Sequence, residues 1–394
     1  MSIAPRTSKA RRTLPLKTIA DQPSWVIRSN EMELALSRLG GGMAPVTFYR
    51  QTSRPLRPYY IAPWHGEKLK ITDPCLVPLR GDFFCLPFGG GGSFRGKQFV
   101  SHGDPATQPW KLVANDRRDG ISSLTVAMDL KATTGRITKC LSLVDGEQAI
   151  YSRHLIEGLS GAYPCGHHAT LAMPEQAGSV RVATSPIRFG LTNPVPPEDP
   201  MSKEYHALAA NKRFASLAKV PLVWKDPAYG DCSALPARRG YSDILGLLSK
   251  PSAQPAWTTA VFTTEGFLWF SLKDASVLPM TLFWMCNYGR YASPWNGRNG
   301  CLGLEEMCGF LATGQAMSVQ PNSISKMGIA TAVKFSPSRP TAINYIQGVV
   351  RVPRDFDRVS KVRFAPGEVV FTCAAGKSVS APVRHEFLQT GSLA

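Results

Sequence analysis

Glu305 and Glu306 stand side by side in CLGLEEMCGF, residues 301–310, a stretch that otherwise has the apolar make-up of a buried strand. Successive side chains of an extended chain point to opposite faces, so one glutamate of the pair is expected to face inward. An inward carboxylate needs a charged or hydrogen-bonding partner, because burying it alone is costly. A second adjacent pair, His167 and His168, lies in SGAYPCGHHATLAMPE, 160–175. The same alternation sends at most one of these histidines to a given cleft. A carboxylate and an imidazole in opposed roles are the minimum for general acid/base chemistry on a neutral substrate.

Three further stretches carry reactive side chains. In PLRGDFFCLPFGGGG (78–92), Arg80 offers a planar donor fork suited to hydroxyls or anions, and a structural ion pair explains it as well. The glycines that follow lack the GK[ST] and strand-to-helix context of a phosphate cradle and read as a flexible turn. In FVSHGDPATQPWKLV (99–113), His102 precedes a Gly-Asp-Pro turn, either as a functional imidazole or as a hydrogen-bonded surface residue. TLFWMCNYGRYASPWNGRNG (281–300) combines Trp284, Asn287, Tyr288, Arg290, Trp295 and Asn296. Rings and amides together suit sugars, and two core tryptophans beside an Asn/Gly-rich turn suit the stretch equally. The histidines show no HxH or HExxH spacing, so no metal site is indicated.

Short alternating runs broken by turn signals must position these residues. MELAL (32–36) resumes after three glycines at Met43–Phe48; paired runs flank Asp145-Gly146 and Glu265-Gly266; Asp119-Gly120 introduces another. No βα alternation occurs, and the pattern predicts an all-β fold, a large antiparallel sandwich. Alternation fades between about 194 and 255, which is expected to be an insertion in the single domain 23–394. Its helix-compatible pieces are SKEYHALAANKRFASLA (202–218) and SDILGLLS (242–249). Residues 1–22 are expected to be a flexible basic tail, carrying Arg6, Lys9, Arg11, Arg12 and Lys17.

The 394 residues, 43% hydrophobic and 19% charged, are globular in composition, which argues against general disorder. No apolar run reaches membrane-span length, and residues 1–21 lack the apolar segment of a secretory signal, so a soluble cytoplasmic protein without membrane partners is expected. Nine cysteines, scattered singly and odd in number, suggest reduced core residues. A net charge of +17 favours anionic ligands. Without a Lys/Arg stripe interleaved with aromatics, it does not single out nucleic acid as a specific partner.

Five blocks, in this chain order, resemble the galactose mutarotase-like superfamily, the aldose 1-epimerases and hexose-6-phosphate mutarotases. LRGDFFCLPFG (79–89) is similar to the arginine-glycine strand of the hexose-phosphate branch, and SHGDPATQPW (101–110) to its His-Gly turn followed by tryptophan. GHHATLA (166–172) resembles the strand bearing the catalytic histidine, with His168 the better match. CLGLEE (301–306) resembles the strand of the catalytic glutamate, with Glu305 in place after Leu304. FAPGE (364–368) resembles the turn before the closing strand. Asp82 and Gly103-Asp104-Pro105 depart from the hexose-phosphate pattern.

The resemblance implies a β-supersandwich with a concave cleft that interconverts the anomers of a cyclic aldose or sugar phosphate. Glu305 would be the general base and His168 the general acid. Arg80, His102, His167, Trp284, Asn287 and Glu306 would contact the sugar, and no metal or redox cofactor would be required. Two other readings remain on this fold: a noncatalytic carbohydrate-binding protein, and a polysaccharide-directed activity with the insertion shaping an extended groove.

Overall fold

Turn chemistry sets the strand pairing in the computed structural model, which describes residues 13–196 and 199–393. Asp119 and Gly120 both have positive φ, 50° and 75°, as a two-residue hairpin turn requires, and they join Lys111–Arg118 to Ile121–Asp129. The Asp145-Gly146 turn joins Arg136–Val144 to Ala149–Glu157, and the Glu265-Gly266 turn joins Ala256–Phe262 to Phe267–Lys273. Glu33–Ser37 pairs with Met43–Thr47 across the three glycines.

These hairpins build two large antiparallel sheets, of eleven and nine strands, as the all-β reading requires. Phe84, Cys165, Leu304, Phe283, Trp269 and Val349 belong to one apolar cluster between them. The outer face of the nine-stranded sheet packs against a small sheet of Val359–Ala365, Glu368–Cys373 and Ser378–Pro382. The outer face of the larger sheet meets loop residues, among them Trp64, Phe88, Trp295 and Phe310. Central strands are therefore covered on both faces. Ala256–Phe262, Phe267–Lys273 and Met280–Asn287 are buried along their whole lengths. All nine cysteines are free, and only Cys140 is appreciably exposed.

The expectation of one inward glutamate is corrected by this double covering: both are buried. Glu306 faces the neighbouring sheet, where it forms an ion pair with the buried Lys273. Thr258, Ser271 and Thr281 donate hydroxyl bonds to its two oxygens at 2.6, 3.0 and 2.7 Å. His167 shares that interior with Asp82, at 2.9 Å from Nδ1, and lies against Tyr345 and His154.

The segments expected at 1–22 and 194–255 differ from the sequence reading. Residues 1–12 lie outside the described residues, but Lys17–Ile19 forms an edge strand paired with Gln22–Arg28. Arg80, fully buried, pins it by donating to the Ile19 and Ala20 carbonyls at 2.8 and 2.6 Å. SDILGLLS is no helix: Tyr241–Ser249 is an inner strand between Ile187–Thr192 and Met280–Asn287. Hydrogen bonding on both edges outweighs a local spacing that fits either element. After a short 3-10 turn at Pro200–Ser202, the chain through residue 218 is irregular apart from a two-residue strand, Arg213–Phe214. Among the described residues no helix is long and apolar enough to cross a membrane.

Replacing Lys273 by Met strands the Glu306 carboxylate in the interior and should cost about 3–5 kcal/mol. Urea unfolding measures the loss, and the Lys273→Met/Glu306→Leu double variant should recover most of it.

Candidate active site

The site grows from the register of four neighbouring antiparallel strands, Asp82–Cys85, Cys165–Ala172, Gly300–Cys308 and Met280–Asn287. Gly166 lies opposite Met307 and Thr170 opposite Gly303, so counting inward sets His168 across from Glu305. On their outer sides His168 faces Phe83 and Glu305 faces Leu282. His168 Nε2 is 3.2 Å from Glu305 Oε1, and Nδ1 is 3.0 Å from the Thr170 hydroxyl, which fixes the ring's orientation. Phe83 stacks on the imidazole with centroids 4.5 Å apart. Gly303 makes room for the glutamate: a Cβ there would lie 2.3 Å from Glu305 Oε1.

Loops complete the cleft, a space of ≈ 250 Å³. His102 sits in a left-handed conformation, φ 57°, before the short helix Gly103–Thr107. Its ring meets that of His168 edge-on at 4.9 Å. Glycine must follow, since a Cβ at Gly103 would lie 2.0 Å from the Leu86 carbonyl oxygen. Trp284 approaches His168 at 5.8 Å and Trp295 at 5.6 Å. Arg290 lines the same wall, its Nε 3.2 Å from Glu204. Glu204, from the irregular segment, also accepts bonds from Tyr291 N and Ala292 N at 2.9 and 3.1 Å. The glycine run is pinned rather than loose, as Gly90 lines the cleft and donates to the Ala312 carbonyl at 2.9 Å.

Burial raises the Glu305 carboxyl well above the usual carboxylate range. It also lowers the His168 imidazole well below the usual range, with His102 adding to the effect. His102 itself is lowered to about 4 by burial, against the opposing pull of Asp73. Each shift disfavours the charged form. Burial thus favours the protonated Glu305 carboxyl and the neutral His168 imidazole, 3.2 Å apart. Moving the proton from Glu305 to His168 creates a base and an acid together.

Of the residues singled out in the sequence, Glu305, His168, His102 and Trp284 meet around this cleft. Arg80, His167, Glu306 and Asn287 do not. Arg80 is used up on the N-terminal edge strand, and His167 and Glu306 face the sheet interior. Asn287 is three residues from Trp284 on one strand, hence on its opposite face, where it lines a different cavity. Asp82 is bound to His167, away from any anion in the cleft. Arg290 and Trp295 were named within the 281–300 stretch without a role of their own, and Asp73, Cys75 and Thr170 were not singled out. Thr170 was within reach, because it shares the face of His168 two residues on; nothing in the sequence marked Asp73.

The architecture is that of the galactose mutarotase-like sandwich proteins. A galactose mutarotase-like protein from Clostridium acetobutylicum superposes with a TM-score of 0.58 at 10% identity, over 87% of this chain and 99% of that one. A candidate aldose 1-epimerase from Klebsiella pneumoniae gives 0.58 at 11%, over 86% and 82%. A galactose mutarotase related enzyme from Lactobacillus acidophilus gives 0.53 at 10%, over 84% and 98%. At such identity the likeness establishes the fold. No protein-family model and no curated protein matches the sequence.

The electrostatics can be checked directly. The depressed imidazoles weaken the fold as pH falls from about 6.5 toward 4, whereas the raised Glu305 strengthens it over part of that range. Stability therefore mixes opposite signs, and nitrogen-15 NMR of the rings separates them. His102 and His168 should remain neutral at pH 6, where an unperturbed imidazole is mostly protonated; imidazolium shifts at either ring would contradict the arrangement.

Proposed function

We propose that the cleft is an aldose 1-epimerase site, interconverting the anomers of a monosaccharide. The observation that carries this reading is the 3.2 Å contact between His168 and Glu305, on one face and beside Trp284. Once the Glu305 proton has moved to His168, the Glu305 carboxylate takes the proton of the anomeric hydroxyl. His168 gives its proton to the ring oxygen, the C1–O5 bond breaks and a C1=O bond forms. Rotation about C1–C2 presents the other carbonyl face. Closure returns a proton from Glu305 to O1 while His168 recovers one from O5, so atoms and protons balance without another reactant.

Trp284 and Trp295 offer ring faces for the sugar's C–H groups, while His102 and Arg290 supply hydrogen bonds to hydroxyls. A space of ≈ 250 Å³ suits one sugar ring rather than a polymer. The lining holds the carboxylate of Asp73 against Arg290, whose charge is already met by Glu204, and this balance favours a neutral aldose over a sugar phosphate.

Proton NMR exchange between the anomers of glucose, galactose and glucose 6-phosphate tests the reading. Glu305→Gln and His168→Asn should each lower the rate by about 10²–10⁴-fold, the usual worth of a general base or acid. His167→Asn should change stability more than rate. Sugar-induced shifts in the protein without any acceleration would indicate a binding module instead.

A further inference from the structure

The strands that carry the cleft present a second set of side chains on their other face. Ile244 and Trp284 line the cleft, whereas their strand neighbours Asp243 and Met285 line a separate cavity of ≈ 280 Å³. The irregular segment closes over it, with Leu208 and Leu222 contributing to a mainly apolar wall.

Three polar groups in that wall are incompletely paired. Asn287 is only 8% exposed, and its side-chain amide meets no hydrogen-bonding partner among the described residues. Asp243 Oδ1 accepts from Ala207 N and Leu208 N, both at 2.8 Å, while Oδ2 has no donor among the described residues. Arg238 lies over Trp224 and Tyr241, 4.3 and 5.5 Å from their centroids, without an ion-pair contact to a carboxylate among the described residues. Asp231, exposed and accepting from Ser233 N and Oγ at 2.7 Å, adds a second acid to the lining beside one guanidinium, in a protein whose net charge is +17. Burial pushes the Asp243 carboxyl up to about 6, against the opposing pull of the Leu208 and Ala207 amides and of Arg238.

We propose that this cavity is a second binding site, for a small organic cation: a primary ammonium on a compact apolar body. The ammonium, with three donors and no acceptor, bonds to Asp243 Oδ2 and the Asn287 amide oxygen. The apolar body rests against the aliphatic wall. An alcohol of the same shape leaves the buried charge unmet, and a carboxylate meets two charges of its own sign. Because alternate residues of the same strands serve the cleft and the cavity, this site does not depend on the chemistry proposed for Glu305 and His168.

Calorimetric titration of the full chain with benzylammonium, benzyl alcohol and benzoate at pH 7.5 tests the proposal. Benzylammonium should bind saturably and at least about tenfold more tightly than the alcohol, the scale of one charge-assisted bond, with benzoate weaker still. Asp243→Asn keeps an Oδ1 for the Ala207 and Leu208 amides and should abolish the preference; Asn287→Leu should weaken ammonium binding in a protein that keeps its melting behaviour. Equal affinity for the alcohol, unchanged ammonium binding in Asp243→Asn, or no saturable ammonium binding to the parent chain would overturn it.

Discussion

A sheet covered on both faces has no solvent side on which to leave a polar group. That constraint governs the central strands here. Wherever two polar residues are adjacent, each needs its own solution on its own side. Glu306 receives an ammonium and three hydroxyl donors, and His167 receives a carboxylate. Glu305 and His168, one position away, receive chiefly each other and an opening to the cleft. The two sides of one sheet thus hold charge in different ways. The interior side neutralises it, while on the cleft side burial disfavours ionisation.

The interior arrangement carries its own strain. Both ring nitrogens of His154, His167 Nε2, Asp82 Oδ1 and the Tyr345 hydroxyl are buried without hydrogen-bonding partners among the described residues. Such groups lose stability that apolar side chains would retain. Apolar packing on both sides, in clusters that run between the sheets and beneath their covers, offsets that loss.

Hairpins and alternation were legible in the sequence because turn chemistry is local, as at Asp119-Gly120. The pairing of Glu305 with His168 came from a resemblance of short blocks, and register accounts for it physically. Which face of a strand looks onto the cleft was not legible, since period-two alternation names two faces and cannot rank them when both are buried. Arg80 and Glu306 have the residue types of a site, and both serve neighbours more than 30 positions away or on another sheet, contacts that no local pattern encodes. SDILGLLS failed for the same reason: its neighbours, Ile187–Thr192 and Met280–Asn287, lie elsewhere in the chain.

Glu204 has a reach larger than its single ion pair. It belongs to the irregular segment, and it holds Arg290 and the amides of Tyr291 and Ala292 from behind the cleft wall. The Glu305 and His168 strands and the wall are consequently held by different contacts, and Glu204 ties the irregular segment to the wall. A lineage, or an engineer, can recast the segment around Glu204 and alter which molecules are admitted, while the Glu305 and His168 strands stay as they are.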